Sequence, residues 1–177
     1  MRAATPTGEV PVTHHDDIPT LRGSTDGPEL RIAVVIARYN DFVTDRLRDG
    51  AVAALIEAGV PSDALLLVPV PGAFEVPLAA RRVAATCGVD AVVCLGCLIR
   101  GATPHFEYIA SAVAHGIVEA SAATDVPMSF GVLTTNSVEQ ALERAGPGPD
   151  NKGREAALAA IEMATLQRAA RAVAGAS

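Results

Sequence analysis

Nine residues without a charge, Ala91 to Ile99 (AVVCLGCLI), limit what this chain can become more than any other stretch. A run so short is a strand buried on both faces, since a membrane span needs about 20 residues. Arg100 and Gly101 turn the chain, and a helical pattern follows from about His105 to Ala123. Strand, glycine turn and helix in that order leave backbone N–H groups pointing outward at the positive end of a helix, which suits an anion. Pro104 fits the first helical turn, where an N–H would have no partner. Thr103 is the expected N-cap. His105 stands two residues beyond, and an imidazole can pass a proton either way near neutral pH.

The same unit recurs along the chain. Arg31 to Ala37 (RIAVVIA) is a second buried strand, and a helix runs from the turn Arg38 to Phe42 to about Ala58, with Leu47, Ala51, Ala54 and Leu55 as its apolar stripe. Gly59 and Pro61 end it. Ala64 to Val70 is the next strand, with Pro69 limiting its pairing. A loop from Pro71 to Pro77 leads to a helix over about 77–86. Pro127 to Thr134 is the fourth strand. The short helix after it is expected to start at Asn136, with Glu139 three positions on as in a capping box. The last helix begins at Asn151 or Lys152 with Asp150 as its expected N-cap, and runs to about Val173. Alternating strands and helices mean a parallel sheet wound on both faces. The expectation is an α/β fold, a flavodoxin-like three-layer αβα sandwich with a four-stranded parallel sheet. Residues 30–177 form its single domain, and residues 1–29 form a flexible or extended arm holding four of the twelve prolines. Within the arm, Glu9 to Val12 could add to a sheet edge of a neighbouring subunit.

Ligands of such sheets bind outside the carboxyl ends of the strands. That rule gathers Tyr39 to Phe42, Gly72 to Glu75, Arg100 to His105 and Thr134 to Asn136. The chain has only six aromatic residues, two Tyr and four Phe. Five stand in or just beyond the first three segments, which suggests a flat ring as ligand. The cations in or beside these loops are Arg38, Arg100, Arg144 and Lys152. Arg144 and Lys152 flank one loop and could clamp a phosphate.

Other chemistries are disfavoured. A net charge of −6 argues against nucleic acid or an anionic membrane as partner. No GxGxxG follows the first strand, and neither GxxxxGK[ST] nor GxSxG occurs. Cys94 and Cys97 look like a CxxC, but residues three apart in a strand face opposite sides, which forbids a disulfide or a shared metal. His14, His15, Asp16 and Asp17 fall in the arm and read as solvated. No signal-peptide core opens the chain and three thiols suggest a reducing compartment, so a cytoplasmic protein is expected.

Six segments together resemble a known family. They are Ala37 to Asn40, Val70 to Pro77, Leu98 to Tyr108, Gly131 to Thr135, Glu139 to Ala141 with Arg144 to Gly146, and Asn151 to Gly153 with Ala160 to Ala164. In order and spacing they are similar to 6,7-dimethyl-8-ribityllumazine synthase, from about Arg31 to Ala170. The resemblance implies a condensation of 5-amino-6-(D-ribitylamino)uracil with 3,4-dihydroxy-2-butanone 4-phosphate, with no metal or redox cofactor. It implies His105 as the proton carrier. Tyr39 would stack on the pyrimidine, where relatives usually carry Phe or Trp. Ala73, Phe74 and Glu75 would hold the ribityl chain. Cys97, Leu98 and Ile99 would line the uracil pocket. Ala102, Thr103 and Arg144 would hold the phosphate, with Lys152 nearby. Phe130 would cover the ring from a neighbouring subunit.

The loop Pro147 to Asp150 departs from the family's Gly-rich, Lys-bearing pattern, and the arm is longer than in many relatives. The resemblance implies a homopentamer with sites between subunits, and leaves a decamer or an icosahedral 60-mer open. The alternative function is a non-catalytic lumazine- or flavin-binding or shell-forming paralogue. A pentameric enzyme converting lumazine to riboflavin fits the Val70–Pro77 and Arg100–Tyr108 segments less well.

Overall fold

The structure, a computed structural model, describes residues 20–175. Four strands form one parallel sheet: β1 (Ile32–Ala37), β2 (Leu65–Val70), β3 (Ala91–Ile99) and β4 (Met128–Thr135), in the order β2-β1-β3-β4. Five helices connect and follow them: α1 (Asp41–Glu57), α2 (Val76–Thr86), α3 (His105–Thr124), α4 (Val138–Arg144) and α5 (Lys152–Gly175). This is the α/β three-layer sandwich expected from the alternation of apolar runs and helical stripes.

Strand periodicity sorts the core into two layers. Ile32, Val34, Val93 and Leu95 point to one face, where Val43, Leu47 and Leu55 of α1 and Ala157 and Ile161 of α5 cover them. Ala33, Val35 and Val92 point to the other, under Val76 and Ala80 of α2 and Val113 and Ile117 of α3. Cys94 belongs to the second layer and Cys97 to the first, so the two thiols do face opposite sides. Alanine-rich helices let α1 and α5 come very close. A Cβ on Gly153 would stand 1.9 Å from the Leu47 carbonyl oxygen.

β1 and the first seven residues of β3 are buried throughout, because they are the inner strands. β2 is an edge strand. Leu66 and Leu67 stay exposed there, and Pro69 is tolerated for the same reason.

Three helix starts differ from the sequence expectation. Thr103 does not cap α3: the N-cap is Pro104, with no side-chain hydrogen bond. At α4 the cap is Ser137 rather than Asn136. Its hydroxyl accepts from the Gln140 N–H at 3.3 Å, and the Gln140 side chain accepts from the Asn136 N–H at 2.9 Å. At α5 the cap is Asn151 rather than Asp150. Its Oδ1 accepts from the N–H groups of Gly153 and Arg154, while its Nδ2 donates to the carbonyls of Arg46, Ala145 and Gly146. A buried amide satisfies donors and acceptors at once, which the exposed Asp150 carboxylate cannot.

Of the N-terminal arm, residues 1–19, with the Glu9–Val12 segment and the His14–Asp17 cluster, lie outside the described residues. Residues 20–29 run against α5. The Ser24 N–H donates to Thr165 Oγ1 at 2.8 Å, and Arg168 donates to the Glu29 carbonyl. Among the described residues no helix is long and apolar enough to cross a membrane.

Candidate functional site

The chain passes from β1 out to β2 and then back to β3 on the far side of β1. The crevice at such a switch point, beyond the carboxyl ends of β1 and β3, is where open α/β sheets bind ligands. A cleft of about 370 Å³ lies there. β1 delivers Tyr39 and Asn40 to it. The turn after β2, which coils as a single 3-10 turn over Ala73–Glu75, delivers Ala73, Phe74 and Glu75. The end of β3 contributes Cys97, Leu98 and Ile99. The loop into α3 adds Gly101 and Thr103, and the first turn of α3 adds His105 and Phe106.

The lining is apolar at Leu98, Ile99 and Ile109 and aromatic at Tyr39, Phe74 and Phe106. Tyr39 is 71% exposed and Phe74 58% exposed. Uncovered rings lining a cleft of this size suit a flat heterocycle. Asn40 adopts the left-handed conformation, φ 62° and ψ 44°, and its Nδ2 donates to the Cys97 carbonyl at 2.9 Å. That bond joins the loop after β1 to the carboxyl end of β3. Burial pushes the Cys97 thiol up to about 11, so it is a neutral, slightly polar wall and not a nucleophile at ordinary pH.

Phe130, Arg144 and Lys152 do not join this cleft. They line a second one of about 450 Å³ between the free edge of β4 and α5. Phe130, mid-strand in sequence, is 49% exposed because β4 is an edge. Arg144 donates to the Gln140 carbonyl at 3.1 Å, and Lys152 pairs with Glu155. Ala159 and Met163 of α5 also line this cleft and are exposed, so a second apolar stripe of α5 is uncovered. Ala102 lines neither cleft; it is exposed in the loop before α3, next to Thr103. One chain thus carries a histidine beside aromatic rings in the first cleft, and two cations with an aromatic ring in the second.

Two residues escaped the sequence reading. Asn40 carries no role in the resemblance; asparagine close after a buried strand, in a tight entry to a helix, is the sequence signal for a left-handed residue. Arg100 looks in sequence like one more loop cation. Its guanidinium is already engaged by Glu107 and Asn136.

The model of one protein family, 6,7-dimethyl-8-ribityllumazine synthase, matches residues 29–168.

Proposed function

The chain belongs to the 6,7-dimethyl-8-ribityllumazine synthase family, and we propose that it catalyses the reaction this name implies. 5-Amino-6-(D-ribitylamino)uracil and 3,4-dihydroxy-2-butanone 4-phosphate condense to 6,7-dimethyl-8-ribityllumazine. The uracil's amine attacks the ketone and water leaves as the imine forms. Phosphate is then eliminated, and the ribityl-bearing nitrogen closes the ring with loss of a second water.

The observation that carries this proposal is the cleft that brings His105 together with Tyr39, Phe74 and Glu75 beyond β1 and β3. In it, Tyr39 stacks on the pyrimidine, and the Cys97–Ile99 backbone offers hydrogen bonds to the ring edge. Ala73, Phe74 and Glu75 hold the ribityl chain, Glu75 by accepting from hydroxyls. His105 moves protons during imine formation and elimination. Ala102 and Thr103, ahead of the α3 amino end, meet the phosphate. Holding two substrates together supplies much of the remaining rate.

The phosphate's cations are in the other cleft. We therefore place the complete site between two copies, the His105 cleft of one against Phe130, Arg144 and Lys152 of the next. The uncovered stripe of α5 and the exposed rings support that pairing, since a lone chain leaves them in water. A closed ring such as a homopentamer satisfies both clefts of every copy.

The test is to mix the protein with the two substrates and follow lumazine absorbance and fluorescence. Protein-dependent formation above the spontaneous rate supports the proposal. No such formation, with lumazine still bound tightly, points to a binding or shell protein instead.

A further inference from the structure

Arg100 lines neither cleft, yet it touches the elements behind both. Its backbone N–H donates to the Thr135 carbonyl at 2.8 Å, tying the ends of β3 and β4. Its guanidinium is held on three sides. One nitrogen pairs with the Glu107 carboxylate. Nε donates to Asn136 Oδ1 at 2.9 Å. The Phe106 ring centre lies 4.5 Å from Cζ.

Phe106 and Glu107 are the two residues directly after His105, in the first turn of α3. The ties fall on these neighbours, not on the imidazole, so the position of His105 is set through its helix turn. On the other side, Asn136 heads α4. Its N–H donates to the Gln140 side chain, and the Gln140 carbonyl accepts from Arg144. One guanidinium thus connects the turn that carries His105 to the short helix that carries Arg144.

We propose that Arg100 is a positioning residue for the condensation, locking the first turn of α3 to the head of α4. The inference rests on the proposed reaction. The chemistry of the contacts calls for arginine. A planar fork can donate to a carboxylate and an amide oxygen while stacking on a ring; a lysine ammonium is a point charge on a flexible stem and cannot do all three. The contacts are half-exposed, and such pairs add little to folding stability. Their consequence lies in geometry, because a proton carrier displaced by about an ångström can cost on the order of 100-fold in rate.

The experiment compares Arg100→Ala, Arg100→Lys and Asn136→Ala with the wild type in the assembled protein. The expected result for Arg100→Ala is a fall in kcat of about 10- to 100-fold, with KM for the uracil substrate little changed, because Tyr39, Phe74 and Glu75 are not moved. Arg100→Lys should recover only a small part of this. Added guanidinium ion should restore part of the rate of Arg100→Ala and none of any other variant's. Asn136→Ala should cost less, and the double variant should be no slower than Arg100→Ala alone, since both changes cut the same tie. In protein with ¹³C-labelled histidine, the His105 resonance should move or broaden in Arg100→Ala. That spectroscopic readout stands even if the wild type makes no lumazine, an outcome that would sink the proposed reaction instead. Full activity in Arg100→Lys, or additive costs of the two alanine changes, or an unmoved His105 resonance overturns the positioning role. Should Arg100→Ala fail to fold, Arg100→Lys and Asn136→Ala still decide it.

Discussion

Asn40 donates from Nδ2 to the carbonyl of Cys97, 57 residues away in sequence, from a left-handed backbone conformation. The same residue's carbonyl accepts from the N–H groups of Val43 and Thr44 and so starts α1. One residue therefore fixes the mouth of the first cleft through its side chain and the entry to the first helix through its backbone carbonyl. Asn40→Ala loses the hydrogen bond and meets the left-handed penalty, which together cost about 2–3 kcal/mol. Asn40→Gly loses only the bond. Urea unfolding at fixed protein concentration should rank wild type above Asn40→Gly above Asn40→Ala. An alanine variant as stable as the glycine variant would show that the backbone conformation carries no cost here.

Replacing His105 by Ala should slow lumazine formation by about 10²–10⁴-fold, the usual worth of a positioned acid/base. Proximity in the cleft remains, so the rate should stay above the spontaneous one. Product affinity, read by fluorescence titration, should change little. A variant as fast as the wild type would remove His105 from the proton transfers while leaving the reaction in place.

A site shared between copies predicts complementation. His105→Ala and Arg144→Ala each damage every site of a uniform assembly. Unfolded, mixed in equal amounts and reassembled, they should regain activity, because about a quarter of the interfaces then pair an intact His105 with an intact Arg144 across a head-to-tail contact. No gain over either parent would mean that both groups act within one chain.

Asn151 tests the corrected cap. Asn151→Ala removes two acceptor and three donor contacts from a buried position and should cost about 2–4 kcal/mol in urea unfolding. Asp150→Ala, one residue earlier and exposed, should stay within about 0.5 kcal/mol. Comparable costs at the two positions would return the cap to Asp150.

The three thiols should divide by burial. Cys87 is exposed, while burial pushes the Cys94 thiol up to about 12 and that of Cys97 to about 11. Iodoacetamide at pH 8 should label Cys87 quickly and the other two only on unfolding. Folding keeps both buried thiols neutral, so their contribution to stability is complete below about pH 9. It is lost as pH rises through about 11 to 12, since the unfolded chain gives up these protons first. Stability that rises from pH 9 to pH 11 would contradict that sign.

What the sequence disclosed follows from what each segment depends on. β1 and β3 are apolar on both sides, and being the inner strands they look alike as pattern and as structure. The strand-end rule then brings six of the proposed site residues, Tyr39, Ala73, Phe74, Glu75, Thr103 and His105, to one cleft, because loop positions in a parallel sheet follow from strand order alone; Cys97, Leu98 and Ile99 rest on the family resemblance. Phe130 could not be placed in this way. Whether a mid-strand residue is core or surface depends on which strand becomes an edge, and periodicity does not record that. The caps failed for a related reason. Asn136 and Ser137, or Asp150 and Asn151, are equivalent by propensity, and the choice was made by distant partners: Arg100 claims the Asn136 side chain, and carbonyls of Arg46, Ala145 and Gly146 claim that of Asn151. Arg100 and Glu107 lie seven residues apart across a turn, a spacing that no helix or strand rule would pair.

The two unlike clefts give the chain polarity. A surface with a socket on one side and its counterpart on the other can be joined in series. An open row of such units always ends in one unmatched socket and one unmatched counterpart, and a closed circle in none. If each working centre needs both, then a row of n copies has n − 1 centres and a circle has n. Closure would thus add one centre without adding a chain. Very dilute protein, where copies separate, would lose activity faster than its concentration falls.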